Sequence, residues 1–280
     1  FCPEVTTKLS NMKYKIKDVL FEGKSEYQSV KVVETEGYGR MLLNDGLVMV
    51  TERDEFVYHD MIAHVPLFAH PNPQKVLIIG GGDGGTAREV LRHETVDRCV
   101  MVEIDKMVVD ACLKYITQTS SSLSDERLEL IIEDGVKYLK NNKEQFDIII
   151  IDSTDPIGPA CPLFGEDFYN TVYSSLSENG IVVAQGESAF YEKEMQKKLL
   201  QIVSNKFQIS TLYNFSNMTY PGGIWSFVYG SKGTHPYNDL REDEIINFNG
   251  SFKYYNESIH RASFQLPSFM IDELCEYIKL

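Results

Sequence analysis

The residues of this chain best suited to chemistry are carboxylates gathered around a run of glycines. Gly80-Gly81-Gly82-Asp83-Gly84-Gly85 is followed by Glu103 and Asp105, by Glu133-Asp134, by Asp152-Ser153-Thr154-Asp155 and by Gln185-Gly186-Glu187. Gly80-x-Gly82-x-x-Gly85 matches a turn that brings a nucleotide against a helix N-terminus. Glu103 stands near the spacing of a ribose ligand, able to hold two hydroxyls. Asp83 restricts what such a turn accepts. It occupies the place of a pyrophosphate, and two like charges about 4 Å apart repel by about 4 kcal/mol at an effective dielectric of 20. A phosphate-free nucleoside carrying a cation fits better, as S-adenosyl compounds do. S-adenosylmethionine itself bears a carboxylate that an acidic pocket disfavours. Arg88, the nearest base, is expected on the solvent face of the following helix. The decarboxylated donor carries only an ammonium and a sulfonium, so charge points to aminopropyl rather than methyl transfer.

These acids fall where the elements would place them together. Continuous apolar runs at Val76-Leu77-Ile78-Ile79, Cys99-Val100-Met101-Val102, Leu128 to Ile132, Ile148 to Ile151 and Ile181-Val182-Val183-Ala184 read as strands buried on both faces. Segments near 86–93, 106–116, 136–142, 167–176 and 192–206 read as the helices between them. The alternation predicts a doubly wound, Rossmann-like parallel sheet of the methyltransferase type. Each of the five strand tips then carries a carboxylate at the edge where open α/β sheets bind ligands. Solvated surface acids explain one or two such tips, not five. Ile209 to Phe215 and Trp225 to Tyr229 are expected to add an antiparallel end, and Ser268 to Ile278 a closing helix. Residues 12–51 read instead as all-β, with turns at Glu36-Gly37-Tyr38-Gly39 and Asn44-Asp45-Gly46. A small N-terminal β domain, 1–51, and a catalytic domain, 52–280, are therefore expected. Thr51 is expected to cap a helix carrying Phe56, Met61, Ile62 and Val65, ended by Pro66.

Bulk properties narrow the partners. With 280 residues, 43 % hydrophobic and 24 % charged, the chain has the composition of a globular protein with a sizeable core. The net charge of −14 argues against nucleic-acid binding and suits a cationic ligand. No apolar run approaches the roughly 20 residues of a membrane helix, and nothing reads as a signal peptide. The five cysteines are scattered with no Cys-x-x-Cys, as expected in a reducing, cytoplasmic setting without a zinc or disulfide framework. His59 and His64 lack the i, i+4 spacing of a zinc-binding helix, so no metal is expected.

Several of these segments resemble spermidine synthases. The likeness rests on Gly80 to Gly85, Asp152-Ser-Thr-Asp-Pro-Ile-Gly-Pro159, Asp54-Glu-Phe-Val-Tyr58-His59, Thr219-Tyr220-Pro221-Gly222-Gly223, Lys253-Tyr-Tyr-Asn256 and Phe264-Gln-Leu-Pro267, from about residue 13 to the C-terminus. The resemblance implies decarboxylated S-adenosylmethionine as co-substrate, no prosthetic group, putrescine as acceptor and a homodimer. Glu103 would hold the ribose, and Asp134 with Gly135 the adenine end. Gln28 and His59 would complete the donor site, while Asp83 and Asp152 grip the aminopropyl ammonium. Asp155 would take the distal amine of the acceptor, helped by Gln185 and Glu187, with Tyr220 nearer the reacting end. The Asp152 carboxylate, with Tyr58 and the carbonyl of Ser153, would accept and orient the proton that the attacking amine must lose. Residues 153–164 resemble the family's gatekeeping loop. The chain departs from the family at Met49, where glutamine is frequent, at Asn44, where leucine is common, and at Cys2-Pro3-Glu4, where a W-x-E opening is usual.

Other readings make distinct demands. The same scaffold supports methylation of putrescine, the glycine fingerprint alone would suit a nicotinamide-dependent oxidoreductase, and Met49 with the altered N-terminus would suit an inactive regulatory paralogue. Acceptors other than putrescine, such as agmatine, cadaverine or spermidine, also remain compatible. Tyr58, by pattern alone, reads as core, and only the resemblance gives it a catalytic part.

Overall fold

Period-two alternation fixes the first sheet. A computed structural model describes residues 2–6, 11–154 and 158–280, with side chains from 12 to 154 and from 160 to 280. β1 (Cys2–Thr6) and β2 (Asn11–Tyr14) form an antiparallel pair. β3 (Ile16–Lys24), β4 (Ser29–Thr35), β5 (Arg40–Asn44) and β6 (Leu47–Thr51) follow as an antiparallel meander. Val30, Val32, Leu42 and Val50 face one way, and Val33, Met41, Leu43 and Val48 the other, so both faces are covered. Asp45 and Gly46 turn β5 into β6 with φ of 49° and 83°, the left-handed pair such a two-residue hairpin requires.

α1 (Glu55–Ala69) departs from two sequence expectations. Asp54, not Thr51, precedes its first turn, and Pro66 lies inside it rather than ending it. Pro66 forfeits one backbone bond. Against that, Leu67, Phe68 and Ala69 are fully buried, and Arg241 takes up the carbonyls of Leu67 and Phe68. Burial of that last turn outweighs the single lost hydrogen bond.

The main sheet is built from β7 (Lys75–Gly80), β8 (Arg98–Glu103), β9 (Leu128–Ile132), β10 (Phe146–Asp152), β11 (Leu176–Ser188), β12 (Ile209–Phe215) and β13 (Trp225–Ser231). Its order is β12-β13-β11-β10-β7-β8-β9, parallel from β11 to β9, with β13 antiparallel to both neighbours as expected. Between strands run α2 (Gly85–Leu91), α3 (Lys106–Tyr115) with the single turn α4 (Thr117–Ser120), α5 (Gly135–Asn141), α6 (Glu166–Ser175) and α7 (Lys193–Lys206). α8 (Glu242–Ile246), α9 (Glu257–Ser263) and α10 (Ser268–Leu274) close the chain, and α10 passes into a short 3₁₀ turn at Cys275–Tyr277. Alternate residues serve opposite cores. Val76, Ile78, Ile148 and Ile150 pack with α1 and α2, while Leu77, Ile79, Ile149 and Ile151 pack with α5, α6 and α7. Strand order reverses between β7 and β10, the crevice where doubly wound sheets receive ligands.

Candidate active site

The crevice opens as a cavity of about 840 Å³, roofed by the β5–β6 hairpin and floored by the tips of the parallel strands. Four of the expected acids line it: Asp83, Glu103, Asp134 and Asp152. Gln28, Tyr58, His59, Gly135, Ser153, Gln185 and Tyr220 line it too. Asp155 lies outside the described residues. Glu187 is fully buried near the end of β11, at φ 65°, and is not among the described residues lining the cavity. Asp105 is a cap rather than a wall residue. Its Oδ1 accepts from the Met107 amide, and its Oδ2 accepts from Gln28 Nε2 at 3.0 Å and Ser25 Oγ at 2.7 Å. Through that bond it fixes Gln28 at the cavity edge.

Backbone pairing locks the glycine turn to Asp152. Gly80 sits opposite Asp152 in the β7–β10 ladder, and the Gly81 amide donates to the Asp152 carbonyl at 2.9 Å. Gly80 has φ 85°, and a Cβ there would lie 2.1 Å from that carbonyl oxygen, so glycine is required on two counts. Gly82 comes equally close to Glu103: its amide donates to Oε2 at 3.1 Å, while the Asp105 amide donates to Oε1 at 2.8 Å. Burial pushes the Glu103 carboxyl up to about 7 despite these two amides. Asp134 precedes α5 and accepts from the amides of Val136 and Lys137, which aims its second oxygen away from the helix.

Asp152 receives one proton donor on each oxygen, Tyr58 Oη on Oδ1 at 2.7 Å and Thr86 Oγ1 on Oδ2 at 2.6 Å. Burial and the neighbouring Asp83 charge push its carboxyl up, and the two hydroxyls hold it down in part. Burial and the Asp152 charge push the Tyr58 phenol far up, so Tyr58 stays protonated and acts as a donor. Its ring stands edge-on to Phe215, Phe227 and Tyr220. Thr86 was not foreseen from sequence. As the second residue of α2 it reads as an ordinary early helix position, and only the fold of the turn aims it at β10.

Charge around the turn is arranged by His59. Its Nδ1 meets Glu55 Oε2 at 2.6 Å, and its Nε2 meets Asp83 Oδ1 at 3.3 Å. Burial alone would favour the neutral ring, but the two carboxylates outweigh it and raise the imidazole to about 10. Arg88 corrects the expectation of a solvent-facing base. It turns inward to Glu55 at 2.9 Å and Glu89 at 2.7 Å, with 17 % of its side chain exposed. Neutralised there, it offers nothing to a ligand carboxylate. Asp83, Asp152 and the His59 imidazolium together leave one net negative charge at the turn, the complement of a single ammonium. An amino-acid tail, neutral overall, would leave that charge unmatched.

His59, Asp83 and Asp152 present ligand atoms within 4.8 Å of one another, as do Asp60, His64 and Glu89. The first trio already holds its internal cation on His59. In the second, Glu89 is paired with Arg88 and Arg92, and Asp60 accepts the amides of Lys253, Tyr254 and Tyr255.

The opposite wall depends on Asp54. Its carboxylate accepts from the amides of Met218 and Thr219 at 2.9 Å, and from the hydroxyls of Thr51 and Thr219. This holds the Thr219–Pro221 loop against the start of α1, where Tyr220 donates to the Met49 carbonyl at 2.8 Å. Tyr191 and Glu192, in the turn between β11 and α7, also line this end and were missed because that turn has no periodicity to follow; Trp225 lines it too, and from sequence reads only as the start of β13. Three cavity residues, Asn44, Ser153 and Gln185, each keep a buried side-chain oxygen without a partner among the described residues. Unpartnered buried acceptors are costly and mark where a ligand would donate.

Comparison with known proteins agrees with this geometry. Residues 55–241 match the family model described as the spermine/spermidine synthase domain, and residues 3–52 match the spermidine synthase tetramerisation domain. A polyamine aminopropyltransferase of Clostridium kluyveri is 48 % identical over 261 residues, covering 93 % of this chain and 94 % of the relative. One from Caldicellulosiruptor bescii is 47 % identical, covering 91 % of each. A spermidine synthase crystallised with the transition state analogue AdoDATO superposes with a TM-score of 0.93 at 44 % identity, covering 95 % of this chain and 92 % of that one. Spermidine synthase from Thermotoga maritima gives 0.92 at 43 % identity, covering 95 % and 91 %.

Proposed function

This chain belongs to the spermine/spermidine synthase family, and on that premise we propose how its cavity carries out aminopropyl transfer. It is a polyamine aminopropyltransferase that takes decarboxylated S-adenosylmethionine as co-substrate and putrescine as acceptor, giving spermidine and 5′-methylthioadenosine. In our reading Glu103, with Gln28 beside it, binds the ribose, and Asp134 and Gly135 the adenine. Asp83, braced by His59, and Asp152 take the aminopropyl ammonium. Gln185 and Tyr220 position the acceptor, and Asp155 and Glu187 are proposed to act at its distal amine.

A protonated amine has no lone pair, so the attacking nitrogen first gives a proton to Asp152. The free pair then forms the new C–N bond to the carbon next to the sulfonium. The C–S bond breaks with its electrons staying on sulfur, which leaves as a neutral thioether. The carbon is already activated, so the protein contributes alignment and a proton acceptor. The observation that carries this reading is the Asp152 carboxylate, held by Tyr58 at 2.7 Å and locked by backbone pairing to the glycine turn.

The test is to supply putrescine with each donor. Methylthioadenosine release confined to the decarboxylated donor supports the reading, and S-adenosylhomocysteine from S-adenosylmethionine would replace it with methyl transfer. Asp152→Asn should lower turnover by about 10²- to 10⁴-fold without unfolding the protein; near-normal turnover would remove Asp152 from the base role.

Among the described residues no helix is long and apolar enough to cross a membrane. We propose a cytoplasmic enzyme divided into a β unit, 1–51, and a catalytic unit, 52–280. Self-association, as a homodimer, is proposed to involve the segment matching the tetramerisation domain.

A further inference from the structure

Asn44 is the last residue of β5, 7 % exposed, and its Oδ1 is buried with no partner among the described residues. A stranded amide oxygen of this kind carries an unmet desolvation cost, which an apolar residue of the same shape would avoid. The position offers apolar company: Asn44 pairs with Val30 and shares its sheet face with Leu42. Yet Asn44 lines the cavity, next to Asp45, whose carboxylate accepts from the Ser29 amide beside Gln28.

We propose that Asn44 is a donor-recognition residue whose side-chain oxygen accepts a hydrogen bond from the ribose of the bound nucleoside. The placement favours ribose over the acceptor amine. Gln28, just before the strand that pairs with Asn44, is tied to Asp105, and the Asp105 amide in turn holds Glu103, so these side chains form one polar edge. The acceptor-facing Tyr220 bonds instead to Met49, past the hairpin turn. The inference rests on the aminopropyltransferase reading, because that reading puts a nucleoside in this cavity.

The experiment compares wild type with Asn44→Leu and Asn44→Ala by titration calorimetry with 5′-methylthioadenosine and by thermal unfolding without ligand. Methylthioadenosine carries the ribose and lacks the aminopropyl group. The proposal expects roughly tenfold weaker binding in both variants. It also expects the melting temperature of ligand-free Asn44→Leu to equal or exceed wild type, since the stranded oxygen is gone. Binding unchanged within about twofold would overturn it. So would two variants that fail to fold, which would assign Asn44 to the architecture. If wild type itself does not bind methylthioadenosine, the aminopropyltransferase reading fails first and takes this inference with it.

Discussion

Replacing Tyr58 by phenylalanine isolates the proton acceptor from everything around it. The ring is held edge-on by Phe227 at 5.0 Å and Phe215 at 5.6 Å, so a phenyl group keeps the packing and only the hydroxyl is lost. That hydroxyl donates to Asp152 Oδ1 at 2.7 Å, leaving Thr86 as the remaining donor. A hydrogen bond to a charged group contributes roughly 1.5–3 kcal/mol. Burial and Asp83 already raise the Asp152 carboxyl, and the Tyr58 bond is among the contacts that lower it, so its loss sends the carboxyl further up. At about 1.4 kcal/mol per pH unit, the acidic limb of the rate profile should move to higher pH by about one to two units. Turnover on that limb should drop by roughly ten- to a hundredfold and recover at alkaline pH, where Asp152 is ionised in both proteins. The assay is methylthioadenosine release at saturating donor and putrescine across a pH series. A uniform loss with the limb unmoved would refute the reasoning, since Tyr58 would then be orienting the acceptor and not governing Asp152.

Two further perturbations probe the frame around that carboxylate. His59→Gln removes an imidazolium raised to about 10 from an ordinary 6.5, so its stabilisation is complete below about pH 6.5 and lost as pH rises through about 10. Wild type should lose at most about 5 kcal/mol of stability over that window, while the variant starts lower and stays flat; parallel melting-temperature curves would count against the bridge. Gly82→Ala places a Cβ 2.8 Å from Glu103 Oε2 at a backbone conformation alanine tolerates. Donor KM should rise by roughly tenfold or more with the fold intact, and an unchanged donor KM would show that Glu103 does not need its present position.

The sheet and its ligand-binding edge were legible because parallel strands buried on both faces leave long β-branched runs. Ile148 to Ile151 admits no other element between a turn and an acid. The acids at Asp83, Glu103, Asp134 and Asp152 followed from those strand ends. What escaped was whatever depends on a partner distant in sequence. Arg88 looked solvent-facing because nothing local shows that Glu55 waits 33 residues earlier to draw it inward. Asp105 looked like a ligand group because a capping acid and a binding acid read alike until the helix start is seen. Pro66 looked like a stop because the burial of Leu67 and Phe68 is a tertiary fact. Thr86, Tyr191, Glu192 and Trp225 carry no pattern that sets them apart from their neighbours.

The ladder bond between the glycine turn and the Asp152 carbonyl has a consequence for how this enzyme can change over time. The glycine turn and the tip of β10 form a single stiff piece, so a mutation that reshapes one disturbs the other. The Thr219–Pro221 loop opposite is held instead through the side chains of Asp54 and Tyr220. On the proposed reading, substitutions in that loop would retune the acceptor end while the glycine turn stays unaltered, and a laboratory library would do well to respect the same divide.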